Sequence, residues 1–201
     1  MFLPKLREIK EALYSLFTRP YTTKFPAVKY SPDEQYRGFP KYFEDECIGC
    51  GACAEVCPAH AISIDDDPAA GIRTLTVDYF YCFTCGQCEE KCATEKGIQI
   101  QYELYSYSAP DKDEEVHFEE VEKELVLCEN CGAVVACRDH LNFVREQLGA
   151  KAYAHPNLLI ENQRRFTEVP DADFKGDVRR EDYIKEVCPK CRHKVVVEDE
   201  F

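Results

Sequence analysis

Cys47, Cys50, Cys53 and Cys57 are spaced Cys-x2-Cys-x2-Cys-x3-Cys, and the same spacing returns 35 residues later at Cys82, Cys85, Cys88 and Cys92. Three thiolates spaced by two residues lie on one tight loop, which can wrap three corners of a 4Fe–4S cube. The fourth ligand, three residues on, points away and closes the cube of the other copy. The spacing therefore predicts two 4Fe–4S clusters with crossed ligation. One is held by Cys47, Cys50, Cys53 and Cys92, the other by Cys82, Cys85, Cys88 and Cys57. Crossing draws the two clusters together, as an electron relay requires. Structural zinc usually joins two separated Cys pairs, and disulfides do not suit an intracellular chain, so neither explains so dense a run.

Pro58 completes a Cys-x2-Cys-x2-Cys-x3-Cys-Pro sequence, the pattern of bacterial-type ferredoxins. The expected fold class is α+β: a two-cluster ferredoxin fold over residues 47–105, with short alternating strands at 62–64 and 98–102 after each fourth cysteine. Between them, residues 72–78 alternate like a strand and make a hairpin insertion. Tyr79, Phe80, Tyr81 and Phe83 flank the second copy and are expected to shield the clusters by packing. The copies are not equal. Cys57 reaches Ile62 in five steps, whereas Cys92, followed by Ala93, reaches Ile98 in six. That difference predicts different cluster environments.

Residues 4–18 read as an amphipathic helix, with Phe2, Leu3, Leu6, Ile9, Leu13, Leu16 and Phe17 on one stripe and Arg19-Pro20 as its stop. Pro20, Pro26, Pro32 and Pro40 then make an extended arm, so residues 1–46 form a helix and arm. So apolar a stripe is expected to dock on another subunit or a membrane edge. The chain carries a net charge of −13, but residues 1–41 hold eight Lys/Arg against four acids, leaving −17 for the rest. A basic leader on an acidic body suggests different surroundings for the two parts, and the acidity argues against a nucleic-acid partner. No N-terminal run is apolar enough for a signal peptide or a span, which places the thiols in a reducing cytoplasm.

Residues 106–117 read as a linker. Beyond it, residues 118–201 carry Cys128-Glu129-Asn130-Cys131 and Cys188-Pro189-Lys190-Cys191, each flanked by valine-rich strands. Two such strand–turn–strand knuckles make a zinc-ribbon-like domain, with one zinc on Cys128, Cys131, Cys188 and Cys191. Mononuclear iron or bare thiols are the alternatives. The 56 intervening residues exceed the usual ribbon gap, so they are expected to form an insertion with helices around 139–148 and 157–166. Cys137, His140 and His193 are read as bystanders, because the two Cys pairs already complete a tetrahedron.

The arm sequence Arg19-Pro20-Tyr21-Thr22-Thr23-Lys24-Phe25-Pro26, then Tyr36-Arg37-Gly38-Phe39-Pro40 before Cys47-Ile48-Gly49-Cys50, resembles the small two-cluster subunit of respiratory complex I and of membrane-bound nickel–iron hydrogenases. With the terminal Cys pairs, the chain is similar to the corresponding subunit of formate-hydrogenlyase-type complexes. The resemblance covers residues 19–105 well and the terminal pairs more loosely. It implies a peripheral subunit on the cytoplasmic face of the membrane that catalyses nothing itself. Such a subunit carries electrons from a donor such as a ferredoxin or a formate dehydrogenase toward a cluster-bearing small subunit and a catalytic large subunit. A complex I-like quinone- or sulfur-reducing complex and a free ferredoxin-like carrier are the alternatives. A regulatory zinc protein is opposed by the eight crossed cysteines. The residues agree on the absence of catalysis: no nucleophile–base pair, phosphate loop or His-Glu-x-x-His is present.

Overall fold

The computed structural model describes residues 5–19, 22, 33, 35–101, 117–164, 166 and 185–197. The chain divides into two units. One comprises Met1–Tyr36 with Tyr107–Glu115, the other Arg37–Ser106 with Val116–Phe201. In the first unit the described element is α1 (Leu6–Phe17). Its N-terminus is capped by Glu8, whose carboxylate accepts the Lys5 N–H at 2.9 Å, half of a capping box. It ends where the Thr18 hydroxyl and N–H both donate to the Tyr14 carbonyl. Leu6, Ile9, Leu13, Leu16 and Phe17 are exposed along it. Phe2, Leu3, residues 20, 21, 23–32 and 34 of the expected arm and nearly all of the expected linker at 106–117 lie outside the described residues.

The second unit is built on antiparallel strands. β1 (Phe39–Tyr42) pairs with β4 (Ile98–Gln101), Tyr42 opposite Ile98. The reading of residues 1–46 as helix and arm contained no strand, so β1 is an addition. Its two aromatic residues, Phe39 and Tyr42, are buried, and that burial fixes the segment as a strand despite Pro40. β4, described over Ile98–Gln101, falls within the strand expected at 98–102. α2 (Ala52–Glu55) and α3 (Gln87–Glu90) are single turns that carry Cys53 and Cys88.

β2 (Ile62–Asp67) and β3 (Ile72–Asp78) form the expected hairpin, with Asp67 accepting the N–H groups of Ala69 and Ala70 at its turn. β5 (Phe118–Leu127) then pairs along β3, and β6 (Val134–Cys137) along β5, giving a four-stranded order β2-β3-β5-β6. One sheet thus joins the segment of the doubled motif to the segment of the terminal Cys pairs. The core beside it gathers Phe39, Tyr42, Leu75, Val77, Tyr79 and Ile98 around Cys53 and Cys88. Burying such side chains contributes about 1.5–3 kcal/mol each.

The insertion helices appear as α4 (Arg138–Leu148) and α5 (Pro156–Arg164), joined by a 3-10 turn. A buried ionic network ties them to the segment before Cys188: Arg138 pairs with Glu161 at 2.8 Å and Arg164 with Glu186 at 3.1 Å. The second knuckle departs from expectation. Pro189 opens a helix, α6 (Pro189–Val197), so Val195, Val196 and Val197 are helical and not a strand. Proline at the first helical position is preorganised for that start. Burial of Cys191 and Val195 outweighs the strand preference of three valines. Only the first knuckle is a strand–turn–strand, so the terminal Cys pairs sit on a hairpin facing a helix and not on a two-knuckle ribbon.

Candidate metal centres

Each loop of the doubled motif is wound by positive-φ residues. Gly49 (φ 66) and Gly51 (φ 78) turn the first, and Thr84 (φ 56) and Gly86 (φ 82) turn the second. One cavity is lined by Cys47, Cys50 and Cys53 together with Cys92, three thiols from one copy and the fourth from the other. On the opposite side, Cys82 feels the charge of Cys57 and Cys85. Cys88 feels that of Cys53, Cys82 and Cys85, and Cys53 and Cys88 belong to one buried cluster, so the two groups of thiols adjoin.

The donor set suits iron–sulfur clusters. Burial pushes the Cys53 thiol up to about 11 and the Cys88 thiol up to about 12. Bare thiolates are disfavoured there, and cationic iron would offset that cost. Hydrogen bonds reach the sulfurs and differ between the groups. In the first, the Tyr42 hydroxyl lies 3.5 Å from Cys53 Sγ and the Thr94 hydroxyl 3.4 Å from Cys92 Sγ. In the second, backbone N–H groups donate, from Ala61 to Cys57 at 3.3 Å and from Thr84 to Cys82 at 3.4 Å. Thr94 stands in the longer loop after Cys92, and its hydroxyl also accepts the Gly97 N–H at 3.0 Å.

The aromatic shield is a correction. Tyr79 is buried, and its hydroxyl donates to the Pro40 carbonyl at 2.9 Å. Phe80, Tyr81 and Phe83 are exposed, Phe80 to 71%. Phe80 stacks on the His117 ring at 4.5 Å, and adjacency to the cysteines in sequence buries none of the three, because side chains on a tight loop point outward as readily as inward.

The third group is tighter. The sulfurs of Cys128, Cys131, Cys188 and Cys191 all lie within 4.8 Å of one another, and no other such group of ligand atoms occurs among the described residues. Cys131 and Cys188 are 3.6 Å apart. A tetrahedron with metal–sulfur bonds of about 2.3 Å has edges of about 3.8 Å, so this spacing suits one ion and not a cube. Three elements build the group: the turn after β5, the segment at Glu186 and the start of α6. Gly132 N–H closes the turn onto Cys128 O at 2.9 Å, and Glu129 N–H donates to Glu186 O at 2.8 Å. Although burial opposes it, backbone N–H groups of Cys188, Cys131 and Asn130 draw Cys128 down to about 7. The Asn130 amide donates to Cys191 Sγ at 3.2 Å. His140 and His193 do not join this set. Cys137 stands elsewhere, its thiol donating to the Gly49 carbonyl at 3.4 Å.

Sequence reasoning missed Tyr42, Thr94, Arg73 and Lys123. Tyr42 and Thr94 lie close to cysteines in sequence and could have been flagged as sulfur donors. Arg73 and Lys123 carried no signal, since their approach to the Cys47 loop depends on sheet register.

Residues 46–96 match the 4Fe–4S dicluster domain, spanning all eight cysteines of the doubled motif. NAD(P)H-quinone oxidoreductase subunit I of Gloeobacter violaceus is 30% identical over 95 residues, 44% of this chain and 46% of that protein. NADH-quinone oxidoreductase subunit I 2 of Geobacter metallireducens is 26% identical over 120 residues, 55% of this chain and 92% of that protein. Formate hydrogenlyase subunit 6 of Escherichia coli is 36% identical over 50 residues, 25% of this chain and 28% of that protein. The match thus spans nearly all of the Geobacter protein but under half of the other two.

Proposed function

From a chain that is a complex I-related subunit of the 4Fe–4S ferredoxin type, we propose an electron relay within a membrane-bound oxidoreductase, of the nickel–iron hydrogenase or formate hydrogenlyase kind. The observation that carries this reading is the cavity in which three thiols of one copy meet the fourth of the other. It supports two adjacent 4Fe–4S clusters, on Cys47, Cys50, Cys53 and Cys92, and on Cys82, Cys85, Cys88 and Cys57. Iron supplies the one-electron redox change. The chain's residues hold the sulfurs, exclude water through the core of Leu75, Val77 and Ile98, and donate hydrogen bonds that tune each site. The relay has no catalytic residue of its own.

The four-sulfur group at Cys128 is assigned zinc in a structural role. Its tetrahedral spacing and the N–H donors aimed at its thiolates support that choice. No described helix is long and apolar enough to cross a membrane. The exposed stripe of α1 and its flanking Lys/Arg support peripheral attachment on the cytoplasmic face, to a partner subunit or anionic lipid. Partners in this reading are a cluster-bearing small subunit, a catalytic large subunit and an electron donor. A quinone-reducing complex is the second reading, favoured by the names of two of the three relatives above.

The test is isolation of the native chain. It should sediment with membranes in a multi-subunit particle. Neighbouring subunits should include a nickel-binding or a quinone-binding protein, which separates the two readings. A chain recovered as a free small protein would be a diffusing carrier instead.

A further inference from the structure

Behind the loop of Cys47, Cys50 and Cys53 stand two cations that a β-sheet does not ordinarily put together. Arg73 and Lys123 are direct cross-strand partners in β3 and β5, and like charges so opposed repel each other. Both are largely withdrawn from water, with side-chain exposures of 15% and 9%. Each is turned onto a backbone carbonyl near the first cluster loop. Arg73 Nη1 donates to Gly49 O at 3.0 Å and Lys123 Nζ to Glu44 O. Counter-ions make the pairing tolerable. Asp66, opposite Arg73 in β2, accepts two guanidinium hydrogen bonds at 2.6 and 2.8 Å, and Asp139 lies 3.1 Å from Lys123. Asp139 is 51% exposed against 9% for Lys123, so water screens that anion more than its cation.

The Gly49 peptide shows what the arrangement does. Its carbonyl receives both Arg73 and the Cys137 thiol. These two donors, one from β3 and one from β6, anchor the backbone of the loop between Cys47 and Cys50. Lys123 itself packs on the loop, its Cβ standing 3.1 Å from where a Cβ on Gly49 would be. At the second loop the described counterpart is weaker. Arg37 donates to Cys85 O at 3.2 Å from an exposed position, where solvent screens its charge.

We propose that Arg73 and Lys123 are positioning residues for the first cluster, anchoring the backbone of its loop at Gly49 and of the segment before it at Glu44 and raising its reduction potential. The proposal rests on the assignment of that cluster to Cys47, Cys50, Cys53 and Cys92. A cube held by four thiolates is anionic and gains a further negative charge on reduction. Positive charge held largely out of water beside it therefore favours the reduced form. A like-charge pair retained inside a sheet is the kind of local conflict that accompanies a functional demand.

Redox titration of the anaerobically purified full chain, followed by electron paramagnetic resonance, tests this. Iron content of the unsubstituted protein comes first: a single cluster there overturns the cluster assignment itself, before any variant is made. Cys92→Ser then marks which signals belong to the first cluster. Lys123→Met is expected to move that cluster's midpoint to more negative values and leave the other in place, while Lys123→Arg keeps the original value. Arg73→Gln, which retains a donor for the Gly49 carbonyl but no charge, should shift the same midpoint in the same direction. If Lys123→Met loses the first cluster while Lys123→Arg keeps it, the holding role stands and Arg73→Gln decides the potential. Unchanged midpoints in the variants that retain both clusters, or an equal shift of both clusters, overturn the proposal.

Discussion

Gly49 and Thr84 occupy equivalent places in the two cysteine loops and share one left-handed backbone conformation, at φ 66 and 56, yet only Thr84 has room for a side chain. A Cβ on Gly49 would stand 2.6 Å from Cys137 Sγ and 3.1 Å from Lys123 Cβ. One on Gly86, close to Thr84 in the chain, would meet nothing within 4 Å. The first loop is packed against β5 and β6, whereas the second is open at this point. Two copies of one motif thus sit in unlike surroundings because the sheet backs only one of them.

Gly49→Ala should therefore cost far more than Gly86→Ala. Both incur a left-handed backbone penalty of about 1–2 kcal/mol, but only the first adds a collision with Cys137. Iron per chain is expected to fall from about eight to about four in Gly49→Ala and to stay near eight in Gly86→Ala. Adding Cys137→Ala to Gly49→Ala should restore part of the lost iron. Equal losses in both single variants would place the cost in the backbone alone.

Anaerobically purified protein should contain about eight iron atoms on the doubled motif. The reduced form should give the spectrum of two interacting paramagnets, because the thiols of the two groups are neighbours. A spectrum of one isolated cluster would sink the two-site relay.

Cys188→Ser is expected to release one zinc and to loosen α6 and the β5–β6 hairpin, read as faster amide exchange there. Iron should remain near about eight per chain under anaerobic conditions. On warming, the first cluster should be lost before the second, because β5 and β6 supply Lys123 and Cys137 to its loop. Unchanged zinc content would exclude the four-cysteine site.

Deleting residues 1–18 should leave both clusters assembled and release the chain from membranes and partner subunits. Each large apolar side chain of the stripe contributes about 1.5–3 kcal/mol when buried, before ordering costs. Electron delivery to the catalytic subunit should fall with that release. Retention of the truncated chain in an active complex would mean that the helix is no anchor.

The grouping of the thiols is legible in the order of residues alone. Spacing along a chain is a local property, so the doubled run of eight thiols marks the 4Fe–4S dicluster domain, and two Cys-x-x-Cys pairs mark the four-sulfur group. Helical and strand periods were equally legible where a buried or amphipathic face repeats, as in α1, α4, α5 and the β2–β3 hairpin. Pairing was beyond reading. The strand at Phe39–Tyr42 exists because β4 lies beside it, and β5 joins the cluster segment by pairing along β3, in a register that sets Lys123 against Arg73 despite their like charge. The helical start at Pro189 and the exposure of Phe80, Tyr81 and Phe83 were decided in the same way, by what the rest of the chain does or does not place against them. Local spacing names the candidate ligands. Only the packed sheet, through contacts between residues far apart in the chain, makes the surroundings of two near-identical loops differ.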